Sequence, residues 1–134
     1  MDLAVTGLSV LLVEDDPQGR RLYADWLSLA GFRVEQAHNG LQALERARET
    51  MPDVIVTDLH IPGIDGFELA RQLRLDVRTR AIPVLAVTGY AAFAADPERA
   101  RRAGCDAVLP KPCSAEDLET AIRTLMDERA RLQP

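Results

Sequence analysis

The chain has 134 residues, 47% of them hydrophobic, and 21 acidic against 16 basic side chains give a formal charge of -5 at pH 7. That size suits one domain with a real core, and the apolar content excludes a disordered chain. The acidic balance provides no general attraction to nucleic acid or anionic lipid, and no apolar run approaches the length of a bilayer span.

Ser9–Val13 is a short apolar run with β-branched residues, which predicts a buried strand, and it leads straight into Glu14, Asp15 and Asp16. Asp16 is the expected N-cap of a helix over residues 17–30, with Pro17 at its first position and Gly31 beyond its end. Leu22, Trp26, Leu29 and Ala30 recur at helical spacing and are expected to form its core face. A strand over residues 32–37 precedes a helix over Gly40–Thr50 that should bury Leu41, Leu44 and Ala47. A third strand over 53–57 runs into Asp58, and the third helix opens at Asp65, which has capping-box spacing with Glu68. The fourth strand, 83–87, runs into Thr88 and Gly89. A helix is expected over 91–103, with Pro97 as an alternative start and Gly104 as its stop. The fifth strand, 106–109, runs into Pro110, Lys111 and Pro112. The last helix opens at Ser114, with Asp117 three residues on, and should bury Leu118, Ile122 and Leu125.

Five strands alternating with five helices over short connections build an α/β doubly wound fold, a parallel sheet with helices on both faces. One domain is expected over 1–134, with its core over about 8–128. Cys105 and Cys113 have no close-spaced partners and suit a reducing compartment. Residues 1–6 lack the features of a signal peptide, so a cytoplasmic location is expected.

In such a sheet, ligand chemistry gathers beyond the carboxyl ends of the strands. The strand ends here carry acids, a hydroxyl and an amine. Carboxylates ~4 Å apart repel by roughly 4 kcal/mol per pair at an effective dielectric of about 20, and a hard divalent cation relieves that. Asp16 is assigned to capping, which leaves Glu14, Asp15 and Asp58 for a cation. A carboxylate beside a cation can act as a nucleophile toward a phosphoryl group. Lys111, fixed between two prolines, and the Thr88 hydroxyl are available to neutralise the developing charge, and Gly89 leaves room for the group to approach.

The segments Leu11-Leu12-Val13-Glu14-Asp15-Asp16-Pro17, Asp53-Val54-Ile55-Val56-Thr57-Asp58, Pro62-Gly63-Ile64-Asp65-Gly66, Val87-Thr88-Gly89 and Leu109-Pro110-Lys111-Pro112 together resemble a response-regulator receiver domain, the CheY-like module of two-component signalling. The resemblance implies a flavodoxin-like (βα)5 fold with strand order 2-1-3-4-5, of which CheY is a known example. It implies Asp58 as phosphoacceptor, taking its phosphoryl group from a histidine kinase or a histidine phosphotransfer protein. By the same resemblance Glu14, Asp15, Asp58 and the His60 backbone carbonyl hold Mg2+ (or Mn2+), and Thr88, Gly89 and Lys111 receive the phosphoryl oxygens. The Lys111-Pro112 bond is expected to be cis.

His60 and Tyr90 stand at the family positions that flank the hydrolysing water, and bulky Tyr90 is expected to prolong the phosphoryl state. A metal-binding role for the His60 ring is disfavoured, since Mg2+ prefers oxygen. Departures from the family pattern are Val108, where many members place Tyr or Phe, and Cys113, where Phe is frequent. Output is expected through a downstream protein on the helix 4, strand 5 and helix 5 face, where Arg99, Arg101 and Arg102 are candidate contacts. A homodimer is left open, and neither direct nucleic-acid nor membrane binding is expected. Two alternatives remain: a phosphorylation-independent adaptor of the same fold, and a small Mg2+-dependent phosphohydrolase, which would want an acid where His60 stands.

Overall fold

Apolar strands with no polar face need cover on both sides, and alternating helices supply it. The structure, a computed structural model, describes residues 7–89 and 97–132. Its elements are β1 (Ser9–Val13), α1 (Pro17–Leu29), β2 (Arg33–Ala37), α2 (Gly40–Thr50), β3 (Val54–Asp58), α3 (Gly66–Leu75), β4 (Val84–Thr88), α4 (Pro97–Ala103), β5 (Ala107–Pro110) and α5 (Ala115–Leu132). All strand pairs are parallel, in the order β2-β1-β3-β4-β5. The expected fold class and strand order are therefore the observed ones. Residues 91–96, where the fourth helix was expected to begin, and Tyr90 lie outside the described residues.

The sheet separates two apolar layers by simple alternation along each strand. Leu11, Val13, Ile55, Val84 and Ala86 face one way, into a cluster with α2, α3 and α4. Val10, Leu12, Val54, Val56, Leu85 and Val87 face the other way, against α1 and α5. Among the described residues, no helix is long and apolar enough to cross a membrane.

The helix starts follow the sequence closely. Asp16 accepts from the Gly19 amide at 3.0 Å, and Asn39 from the Gln42 amide at 2.8 Å. Ser114 and Asp117 form a reciprocal box, each side chain accepting the other's amide at 3.0 and 3.1 Å. The expected box at α3 is only half formed. Asp65 accepts from the Glu68 amide at 2.8 Å, but the Glu68 carboxylate turns forward to Arg71, at 2.6 Å. An arginine three residues on presents a charged donor, which a backbone amide cannot match.

Two expected core faces need correction. Leu22, Trp26 and Leu29 form a real stripe, yet Leu22 is 62% and Leu29 88% exposed. The sheet instead receives Ala24 and Leu27, with Tyr23 and Ala30 partly buried beside them. At 100° per residue this second stripe lies about a third of a turn from the first. Short Ala24 lets α1 lie close to the sheet, while Trp26 leans on α5 and donates its ring N–H to Glu119 at 2.8 Å. On α2, Leu41 is likewise exposed, and Gly40, Ala43, Leu44 and Ala47 are buried. Gly40 packs where a Cβ would fall 2.3 Å from the Ile64 carbonyl oxygen, so the helix start sits hard against the loop before α3. Leu44, Ala47, Leu118, Ile122 and Leu125 are buried as expected.

The corrected α1 face yields a stability contrast. Leu27→Ala is expected to cost about 2–4 kcal/mol and Leu29→Ala under about 0.5 kcal/mol, read from urea unfolding midpoints. Equal losses would mean that α1 packs on the Leu22, Trp26 and Leu29 side.

Candidate functional site

Parallel pairing brings the chemistry-bearing strand ends to one edge. Val13 pairs with Thr57, and Asp58 with Val87, so Glu14 and Asp58 emerge from adjacent strands. Thr88 pairs with Pro110, which delivers Lys111 beside β4. The Lys111 amide donates to the Thr88 carbonyl at 2.7 Å and fixes the start of the loop after β5. The Lys111-Pro112 bond is cis.

The Lys111 ammonium lies between two carboxylates, donating to Glu14 Oε1 at 2.5 Å and to Asp58 Oδ2 at 2.8 Å. The second oxygen of Asp58 accepts from the His60 amide at 2.8 Å. Thus both Asp58 oxygens are already oriented by donors. Glu14 is buried, and its carbonyl receives the Arg20 guanidinium at 2.8 Å. Burial and the nearby Asp58 charge raise the Glu14 pKa, against the pull of Lys111 and of the Asp16 amide. For Lys111, burial opposes the charged form, but hydrogen bonds to Asp58 and Glu14 outweigh it and raise its pKa further.

Glu14, Asp15 and Asp58 each offer a carboxylate oxygen, and the three oxygens lie within 4.8 Å of one another. Glu14 is buried, Asp58 half-buried and Asp15 exposed, so the cluster opens to solvent on one side. A set of anionic hard oxygens, with one lysine for three carboxylates, suits a hard divalent cation.

Two glycines keep the parts close together. A Cβ on Gly66 would fall 2.7 Å from both the Asp58 carbonyl oxygen and Leu59 Cα, so α3 can start directly under the strand end. A Cβ on Gly89 would fall 3.0 Å from Lys111 Cβ, so the room beside Gly89 is bordered by the lysine stem. Thr88 is fully buried at the end of β4, and His60 is exposed in the loop after β3. Tyr23 received no site role from the sequence, yet it lines one small cavity with Glu14, Asp58 and Lys111. Its residue type, an aromatic within the first helix, carries no site signal by itself.

The profile of the response regulator receiver domain matches residues 10–123. The chain belongs to that family. It is 37% identical over 120 residues to the polar-differentiation response regulator DivK of Brucella anthropi, covering 90% of this chain and 97% of that one. Among solved structures it is similar to the chemotaxis response regulator CheY4 of Vibrio cholerae, with TM-score 0.83, 28% identity and coverage of 90% of this chain and 99% of that one. The receiver domain of a Pseudomonas aeruginosa sensor histidine kinase, crystallised with a magnesium ion in its active-site cleft, gives TM-score 0.81 and 30% identity over 91% of this chain and 99% of that one. The chain is thus a receiver domain of two-component signalling.

Removing the ammonium leaves two facing carboxylates with no cation between them. With chelator present, Lys111→Met is expected to lower stability by about 2 kcal/mol, less than a fully buried broken pair because the lysine is partly exposed. Adding Glu14→Gln should recover at least half of that loss in urea unfolding. A double variant no more stable than Lys111→Met would show that carboxylate repulsion is not the cause.

Proposed function

We propose that this receiver accepts a phosphoryl group on Asp58 from a phosphohistidine of a sensor kinase or phosphotransfer protein, and so switches a protein-binding surface. The observation that carries this reading is the Lys111 ammonium on Asp58 Oδ2 and Glu14 Oε1, within a cluster whose three carboxylate oxygens lie within 4.8 Å. An Asp58 oxygen forms the new O–P bond while the P–N bond to the donor imidazole breaks, its electron pair leaving on the nitrogen. Lys111 follows the charge from the carboxylate to a phosphoryl oxygen, and the Thr88 hydroxyl donates to another. The His60 amide holds Oδ1 in place. Gly89 keeps the approach clear of a side chain.

Glu14, Asp15, Asp58 and the His60 carbonyl would hold Mg2+, a reading supported by the donor set and by the magnesium bound in the similar Pseudomonas receiver. When bound, the ion would neutralise charge that gathers on the phosphoryl oxygens. The chain's own catalysis ends at its own carboxylate, so it acts as a switch and not as an enzyme on external substrates.

Output is assigned to the α4, β5 and α5 face. Two of its arginines are already engaged: Arg99 stacks 4.1 Å from the Phe67 ring centroid, and Arg101 pairs with Glu98 at 2.7 Å. Arg123 donates to the Ala30 carbonyl and stacks over the Phe32 ring, and Arg129 donates to the Ala81 carbonyl, so these two tie α5 to the rest of the fold, while Arg129 also favours its C-terminal end. A partner would meet a face preset by such contacts, and population shift between two arrangements would carry the signal.

Acetyl phosphate with Mg2+ is expected to add one phosphoryl group per chain by intact mass, and Asp58→Asn to gain none. Lys111→Ala should slow the gain by about 10²-fold, the loss typical of one charge-stabilising donor. An unmodified wild type would favour the adaptor reading, and turnover of a generic phosphomonoester the hydrolase. Tyr90→Ala is expected to shorten the lifetime of the phosphorylated chain several-fold, followed by loss of the modified mass over time. An unchanged lifetime would remove Tyr90 from that role.

A further inference from the structure

The Lys111 backbone is fixed on its N-terminal side by the contact of its own amide with Thr88, and a second contact holds the loop after it. Cys113, two residues on, points its carbonyl at α1, where the Tyr23 hydroxyl donates to it at 3.0 Å. The same hydroxyl lies 3.6 Å from the Cys113 thiol. Both side chains are half-buried and pack on the apolar layer between the sheet and the α1–α5 pair. Tyr23 also borders the open cleft formed by Glu14, Gly89, Lys111 and Cys113. Phenol and lysine therefore share one wall of the site, although 88 positions separate them in the chain.

We propose that Tyr23 is a positioning residue for the phosphoryl-transfer reaction, its hydroxyl clasping the Cys113 carbonyl so that the Lys111 ammonium stays aimed at Asp58. This rests on the reading of Asp58 as phosphoacceptor. The loop is then held at both ends, by Lys111 N–H to Thr88 before the side chain and by Cys113 C=O to Tyr23 after it. A long lysine loses much of its rotamer freedom to reach two carboxylates, and a fixed backbone lowers that cost. Burial and the contact with Cys113 push the Tyr23 hydroxyl up to about 12, so it remains a donor throughout the neutral range. The ring fills space beside Cys113, where the family often has a phenylalanine.

The test uses the phosphorylation rate with acetyl phosphate and Mg2+, followed by intact mass across donor concentrations. Tyr23→Phe keeps the ring and removes only the clasp. It should lower the maximal rate roughly fivefold, the equivalent of one net hydrogen bond, with the half-saturating donor concentration unchanged. In a Lys111→Ala background the same change should have no further effect, because the group it positions is gone. Trp26→Phe, which removes a hydrogen bond that the same helix makes to Glu119 on α5 and not to the loop after Lys111, should leave the rate at the wild-type value. The inference is overturned if Tyr23→Phe reacts at the wild-type rate, or if it slows the Lys111→Ala chain by the same factor. A wild type that gains no phosphoryl group on Asp58 defeats the functional reading itself, before any Tyr23 variant is compared.

Discussion

A single ammonium held between two carboxylates at the ends of parallel strands is the constraint around which this receiver is arranged. Lys111 reaches Glu14 after β1 and Asp58 at the end of β3, while its own backbone is tied to the end of β4. Those contacts cross three strands, so they exist only in one order and register of the sheet. Shifting β3 by one residue would turn Asp58 to the other face and leave the lysine with one partner. The close approach also explains why glycine stands at 66 and 89, where a Cβ would meet the Asp58 carbonyl or the lysine stem.

Charge of this kind is costly, and the opposite end of the molecule offsets it with well-satisfied contacts. At the amino ends of the strands, Asp53 accepts from both the amide and the hydroxyl of Ser9, at 2.8 and 3.1 Å. Arg74 donates to the carbonyls of Gly104, Arg80 and Ile82 and pairs with Asp106 at 2.8 Å, so one guanidinium closes the junction of α3, α4 and β5. Asp106 in turn accepts from the Val84 amide at 2.8 Å and sets the start of β4. The carboxylates at the amino ends are each held by structural donors, whereas Glu14, Asp15 and Asp58 at the other end share a single lysine.

Much of this was legible in the sequence, for a physical reason. Buried parallel strands are short apolar runs, so β1, β3 and β4 stand out, and the polar residue that ends or follows each one (Glu14, Asp58, Thr88) marks the edge where ligands gather. Caps at Asp16 and Ser114 were equally readable, because one side chain decides each. The α1 face was not. A stripe of Leu22, Trp26 and Leu29 outscores one built on Ala24 and Leu27 by hydrophobicity, yet closeness to the sheet favours the smaller residues. Tyr23 was missed for a related reason. The positioning role proposed for it depends on the Cys113 carbonyl, and a backbone atom 90 residues away leaves no trace in residue type.

Val108 stands where the family pattern often has an aromatic ring. It packs partly buried against the apolar layer under α2, α3 and α4, with no ring to swing between two positions. On the proposed role of Asp58, any rearrangement on phosphorylation would then move through the contacts that hold the loop from Lys111 to Cys113. Two of these are backbone contacts: the Thr88 carbonyl at the end of β4, and the Cys113 carbonyl held by α1. From α1 the connection continues through Trp26 to Glu119 and Arg123 on α5, a chain of side chains whose members each have a defined partner. A lysine that turned from carboxylate to phosphoryl oxygen, as proposed, would pull on both anchors at once. In that reading, displacement of the β5–α5 corner against α1 would carry the change to the proposed output face.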